Sequence, residues 1–461
     1  MVTMTRHIAV TILLLMTALT GCKKAFLNAS PSSSLVVPST LTAYQSLLNN
    51  NSVMKYTPVL GEVSADNFYL PYTFWQTLDT WENNAYTWAP DIFEGQGQVG
   101  DWDMPYQQVF YANEVLEGLN TISVTTQNQQ QWQNEQGTAL FFRAYAFFNV
   151  AGLFAPPYDS TTAPTDAGIP LRLTADVSAP SVRASVKDTY NQILADLRQA
   201  IPLLPAQINY PYRNLPCQPA VYALLARVCL SMRCYTQAGL YADTALQLYD
   251  SLIDYNTVNA GLFFPFDKLN AEVLCQSNML SYTQCMAAIV DPQTIVDSNL
   301  YRSYGPGDLR LSLFYALNFD NLPNMRPGYA ESVFPFTGLA TDECYLIRAE
   351  CSARAGNTAA ALADLNTLLM HRFTYGAFHP VTASSSTAAL DSILSERRKE
   401  LPFRGLRWSD LRRLNQEGYN ITLTRILNGQ PFILPPNSNL YTLPIPPDIL
   451  SDNPTMIQNN R

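Results

Sequence analysis

Along residues 220–249, AVYALLARVCLSMRCYTQAGLYADTALQLY, apolar side chains recur at every third and fourth position. That period belongs to helices with one buried face. Tyr222, Leu225, Ala226 and Cys229 form one stripe, and after a polar break at Arg233 a second runs through Ala238, Ala242 and Ala245. The same period predicts helices starting near Ser39 and covering 106–120, 136–154 and 185–205. In the last, Tyr190, Leu194, Leu197 and Ile201 are the stripe, and Pro202 and Pro205 end it. Residues 51–104, 206–218, 250–340 and 416–461 show no sustained period and are rich in Pro, Asn, Gly and aromatics. They read as packed loops and short strands over a helical scaffold.

The segment from 343, ECYLIRAECSARAGNTAAALADLNTLL, repeats the layout of 220–249. Tyr345 precedes Ala349 as Tyr222 precedes Ala226, and Ala349 stands before Ala361 at the spacing that separates Ala226 from Ala238. Gly356-Asn357 supplies the turn. This spacing resembles the tetratricopeptide repeat, a helix–turn–helix of about 34 residues. The two copies lie far apart, so a large insertion separates them. The fold class expected is mainly α: tetratricopeptide-like hairpins as a scaffold, with loop-rich insertions carrying a ligand face.

Composition narrows the function. A hydrophobic content of 47% is ample for burial, yet the chain is longer than one compact core usually grows. The net charge of -9 argues against nucleic acid. After Arg6 and His7 comes IAVTILLLMTA, the length of a secretory signal core and too short for a bilayer span. It ends at Leu19-Thr20-Gly21-Cys22, which resembles the bacterial lipobox and implies cleavage before Cys22 and lipidation of that residue. Lys23 and Lys24, rather than an Asp, then favour the outer membrane. No later stretch reads as a membrane helix. Seven further cysteines cannot all pair, there is no CxxC, and two later histidines give little for a zinc site. Cys229, Cys344 and Cys351 read as small apolar residues within helices.

One stretch departs from this sparse charge. ERRKELPFRGLRWSDLRR, residues 396–413, holds seven basic and three acidic residues. Leu390, Ile393, Leu394 and Leu401 give one helix an apolar side; Trp408, Leu411 and Leu414 give a second. Mixed signs at helical spacing predict a solvated, ion-paired face. A carboxylate or phosphate clamp by Arg404 and Arg407 is the minor alternative.

Several segments in order resemble one family: CKKAFLNASPSS at 22–33, GTALFFRAYAFFNVAGLFAPPYD at 137–159, VKDTYNQILADLRQAIPLLP at 186–205, PAVYALLARVCLSM from 219, SERRKELPFRGLRWSDLRRL from 395 and LYTLPIPPDILSDNPTMIQN near the end. The set is similar to the SusD/RagB outer-membrane nutrient-binding lipoproteins. The resemblance implies a non-catalytic protein with no cofactor, held on the outer membrane by its lipid. It implies an oligosaccharide ligand, or in some members a peptide, and a TonB-dependent barrel transporter of the SusC type as partner. The chain then divides into a signal peptide over 1–21, a lipidated tether over 22–38, an N-terminal region over 39–255 and a C-terminal region over 256–461.

The ligand site is expected in SADNFYLPYTFWQTLDTWENNAYTW, residues 64–88. Sugar rings pack their C–H faces on aromatic planes, and their hydroxyls need amide and carboxylate partners. Trp75, Trp81, Trp88 and Tyr72 supply planes; Asp66 and Asn83 supply polar partners. Trp75 and Trp81 are expected on an exposed face, with Trp102 close by in sequence. Glycoside hydrolysis needs two carboxyls roughly 5–9.5 Å apart. Asp91 with Glu94, and Asp101 with Asp103, are candidates only by composition, and no GxSxG appears. Asp308 and Arg310 read as a pair that fixes a loop.

Overall fold

In the computed structural model, residues 38–208, 213–286 and 293–461 are described. The expected signal peptide, Cys22 and most of the expected tether lie outside them. Ten helices carry the architecture: α1 (Leu41–Leu48), α2 (Gly100–Leu119), α3 (Gln129–Phe154), α4 (Val186–Ala200), α5 (Gln218–Ser231), α6 (Tyr235–Leu248), α7 (Thr341–Arg354), α8 (Thr358–Met370), α9 (Ser386–Glu400) and α10 (Arg407–Gln416). Packing runs sequentially, α2 on α3, α3 on α4, α5 on α6, α6 on α7, α7 on α8 and α9. The two hairpins with matching spacing are therefore neighbours, although residues 249–340 separate them in the chain.

The alanines explain the close approach. Ala226, Ala238, Ala349 and Ala361 are all fully buried where helices meet. Each hairpin turns through a left-handed residue, Gly356 at φ 83° in the second and Arg233 at φ 61° in the first. A non-glycine residue is strained there; the Arg233 guanidinium, bonded to Asp159 at 3.0 Å, ties that turn to the loop after α3.

Two helices begin earlier than the apolar period shows. α3 starts at Gln129 because side-chain bonds Gln130–Asn134 and Gln131–Glu135, four residues apart, support a first part with no apolar stripe. α2 starts at Gly100, its opening turns disguised by Pro105 while Asp101 and Asp103 favour a helix N-terminus. α3 is apolar enough to pass for a membrane span, but from Gly137 onward nearly all of it is buried in the core.

Residues 41–461 form one compact unit. Its main core reaches from Tyr44 to Met456; a second lies under α7, α8 and α9, and a third, around Tyr255, Phe266 and Phe336, fills the insertion. Strands are short. β1 (Phe68–Tyr69), β2 (Ile295–Val296), β3 (Tyr315–Leu317) and β4 (Pro323–Met325) make an antiparallel sheet in the order β1-β2-β4-β3, with Phe68 opposite Val296. A hairpin of β5 (Leu423–Leu427) and β6 (Gln430–Leu434) alternates buried and exposed residues along β5, as a half-covered strand does.

Candidate functional site

The aromatic stretch folds as a short helix Leu60–Ser64, strand β1, a helical turn Tyr72–Trp75 and a helix Thr80–Tyr86. Pro71 fixes the entry to the 72–75 turn, its φ of -59° being preset by the ring. At the far end Trp88 takes a left-handed φ of 58°. Two contacts hold it there: its indole N–H donates to the Ser64 carbonyl at 2.9 Å, and the Arg425 guanidinium lies 4.6 Å from its ring centre. Arg425 also stacks 3.5 Å from the Tyr86 ring and donates to the carbonyls of Tyr86, Val63 and Ala65. Trp88, 3% exposed, is a core pillar and not a ligand plane.

Trp81 is likewise buried, at 6% exposure, with its ring 5.0 Å from that of Tyr282. The Tyr282 hydroxyl donates to Asp101, whose other oxygen accepts the backbone N–H groups of Val59 (2.7 Å) and Leu60 (2.8 Å). Burial pushes Asp101 up to about 6 against those bonds. Beside Trp81, the Glu82 carboxylate accepts the backbone N–H groups of Gln284 and Cys285, and burial raises its pKa. The expectation that Trp81 stands on an exposed face is corrected: a segment some 200 residues away in sequence covers it. Trp102 is buried too, edge-on to Phe154 at 5.1 Å.

Asp66 is spent internally. It accepts Arg398 at 2.9 Å and Arg407 at 2.7 Å. Burial works to raise its pKa, but those two guanidinium groups outweigh it and hold the carboxyl well below the usual range. Asn83 donates to the Leu78 carbonyl at 3.2 Å and keeps an unpartnered, buried Oδ1. Tyr72 and Trp75 differ from the rest. No residue of their helical turn is buried. Their rings stack 5.9 Å apart at an interplanar angle of 22°, and Gln76 donates to the Tyr72 hydroxyl at 3.0 Å. Exposed Thr73, Gln76 and Thr77 surround them. Of the six residues placed in this site from sequence, the structure leaves Tyr72 and Trp75 together half-buried against the main core, with the Trp75 indole nitrogen sealed, and takes Trp81, Trp88 and Asp66 into the scaffold.

The charged stretch 396–413 is ion-paired as its pattern predicts, but it is buried rather than solvated. Arg413 meets Glu350 and Asp410, Arg397 meets Asp410, and Arg404 meets Asp342. Arg404 and Arg407 therefore hold carboxylates of the chain itself. Arg310 is fully buried and binds Asp308 at 2.7 Å, with Glu396 and Glu400, so that pair does fix its loop to α9.

One trio of carboxylates among the described residues, Glu272, Asp342 and Glu400, brings its oxygens within 4.8 Å. Arg372 bonds Glu272 and Glu400, and Arg404 bonds Asp342, so arginines occupy the place a cation would take. Asp91 caps the backbone N–H groups of Phe93 and Glu94, and Glu94 accepts Asn84. Tyr282 and Arg425, which decide the fate of Trp81 and Trp88, carry no local signal in the sequence.

The family model described as "Starch-binding associating with outer membrane" matches residues 25–230, and one described as "SusD family" matches residues 341–461. No curated protein matches the chain in sequence. Among solved structures, a SusD superfamily protein from Bacteroides thetaiotaomicron superposes with a TM-score of 0.73 at 20% identity, covering 92% of this chain and 100% of the other. A SusD-like carbohydrate binding protein from Bacteroides vulgatus gives 0.67 at 19% identity, covering 91% and 98%. Surface glycan-binding protein A from Bacteroides uniformis gives 0.70 at 16% identity, covering 91% and 99%. Both ends of the chain match models of one family, and the fold between them is shared: the chain belongs to the SusD/RagB family.

Proposed function

We propose that the protein is a non-catalytic lipoprotein of the outer membrane that captures oligosaccharides at the cell surface and passes them to a TonB-dependent barrel transporter of the SusC type. The observation that carries the reading is the Tyr72–Trp75 pair. Two near-parallel, half-buried rings stand on a turn that packs against the core with none of its residues fully buried. The exposed side chains of Thr73, Gln76 and Thr77 flank them and offer hydroxyl and amide partners to a sugar. The names of the structural relatives, carbohydrate-binding and glycan-binding, point the same way. The lipobox-like Leu19–Cys22 supports anchoring through Cys22.

Binding of a glycan array by the soluble protein, followed by calorimetry on Trp75→Ala and Tyr72→Ala, tests the reading. Each variant should lose affinity fivefold or more, corresponding to about 1 kcal/mol for a ring lost from a binding centre. Normal glycan binding by both variants, or binding of peptides and no glycan, would overturn it. Cys22→Ala should leave the protein out of the membrane fraction; a variant that is still processed and membrane-bound would remove the anchor.

A further inference from the structure

Beyond the C-terminal end of α3, the last turn of α10 and the chain from 437 to 460 enclose a groove of about 400 Å³, a volume in the range of small-ligand sites. Its walls are fixed by side-chain amides bonded to the main chain. Gln458 bonds the backbone N–H and the carbonyl of Ile445 at 2.7 and 2.9 Å. Asn459 donates to the carbonyls of Phe154 and Leu443, and Asn437 to that of Asn415. A wall held in this way spends little entropy on binding.

Other polar groups in the groove are not spent on the described residues. The side chains of Asn439 and Asn460 make no hydrogen bond to the described residues. Gln416 Oε1 and Arg412 Nε are buried without a partner. The charge is unbalanced too. Arg412, buried, donates only to the carbonyls of Gly152 and Ala155. Arg183 donates to the carbonyls of Gly168 (2.7 Å), Ile457 (2.9 Å) and Ala167 (2.8 Å) and to the Asn459 side chain (2.8 Å). No ion pair joins either guanidinium to a carboxylate of the described residues. The one acid in the lining, Asp166, accepts the Thr162 hydroxyl at 2.6 Å. Two positive charges thus face one negative in a chain whose net charge is -9.

We propose that this groove is a second carbohydrate subsite and that it takes an acidic sugar, a residue bearing a carboxylate. The unspent amides of Asn439, Asn460 and Gln416 offer donors and acceptors to its hydroxyls, and the carboxylate sits in the field of Arg412 and Arg183. Burial draws the Arg412 guanidinium down to about 10, as a charge without a counter-ion requires. This subsite rests on the reading of the protein as an oligosaccharide binder.

Calorimetry on the soluble protein with uronate oligosaccharides, each beside its neutral counterpart of the same linkage, tests it. The acid should bind about fivefold or more tightly, the margin between a charge-assisted and a neutral hydrogen bond. That margin should shrink as salt is raised through about 0.15 M, where screening reaches roughly 8 Å. Asn439→Ala and Gln416→Leu, which remove contacts to the sugar hydroxyls, should each weaken binding of the acid about fivefold; these are preferred to Arg412→Met, which would free two buried carbonyls and threaten folding. Equal affinity for acid and neutral partners, or acid binding unchanged in both variants, overturns the subsite. If neutral glycans bind through Trp75 without any preference for acid, the groove assignment alone falls. If no oligosaccharide binds, the function proposed above falls with it.

Discussion

Arg227 on α5 and Glu343 on α7 join the two hairpins that residues 249–340 separate in sequence. The guanidinium meets the carboxylate at 3.0 Å from Nε to Oε1 and at 2.6 Å from Nη2 to Oε2. Nη2 also donates to the Gly338 carbonyl at 2.7 Å, and Nη1 to the Tyr145 hydroxyl at 3.2 Å. Both side chains are nearly sealed from water, at 6% and 3% exposure. Arg227→Met keeps the apolar stem and removes the charge. Glu343 then keeps one cation, Arg397, at 3.8 Å. A buried charge that loses its partner costs about 3–5 kcal/mol. Glu343→Leu should cost a similar amount, because it strands the arginine.

The double variant leaves no charge stranded at this pair, and the lost contacts are those of Arg227 to Gly338, Thr337 and Tyr145, worth roughly 1 kcal/mol each. Guanidinium unfolding of the four chains, followed by far-UV circular dichroism, gives the cycle. The coupling energy should exceed about 2 kcal/mol, in the upper range for residues in contact. Additive single effects, or a loss below about 1 kcal/mol in Arg227→Met, would show that this pair does not hold the hairpins together.

Trp81→Ala should lower stability by about 3–5 kcal/mol, as a large side chain removed from a core does, whereas Trp75→Ala should melt close to the parent and lose glycan affinity; early melting of Trp75→Ala would place it in the core. Ala226→Leu and Ala361→Leu should each cost about 1–3 kcal/mol through overpacking between helices, and an unchanged melting midpoint would mean that the helices have room to spare. Glu135, buried in α3 with Gln131 donating to it, is pushed by burial up to about 7. A raised pKa means that the folded state holds its proton longer, so its contribution is whole below about 4.5 and is lost as pH rises through about 7. Glu135→Gln should match the parent near pH 4.5 and exceed it by about 1–3 kcal/mol at pH 8, and identical pH profiles for the two chains would refute the shift.

The sequence by itself determined where most helices lie. Apolar spacing placed α4 to α8 within a few residues, because a helix that buries one face must repeat an apolar position about every 3.6 residues. Matching alanine spacing identified the two hairpins, since close helix approach demands small residues at fixed intervals. Where support came from side-chain amides, as in the first turns of α3, or was hidden by Pro105 in α2, the period gave no sign. Tertiary structure decided what covers each face. Trp75 and Trp81 sit in the same kind of local sequence, yet Tyr282 closes over Trp81 and buries it, whereas Trp75 stays half-buried beside Tyr72. Most arginines of 396–413 have the pattern of a solvated face but are buried or half-buried, because Glu350, Asp342 and Asp66, from distant segments, arrive to pair with Arg413, Arg404 and Arg407. A helical period records that a residue is polar. Whether its charge meets water, a carboxylate or backbone carbonyls is set by chain packing, since a buried charge must be met at hydrogen-bond distance by an opposite charge or by carbonyl dipoles, as Arg412 is by Gly152 and Ala155.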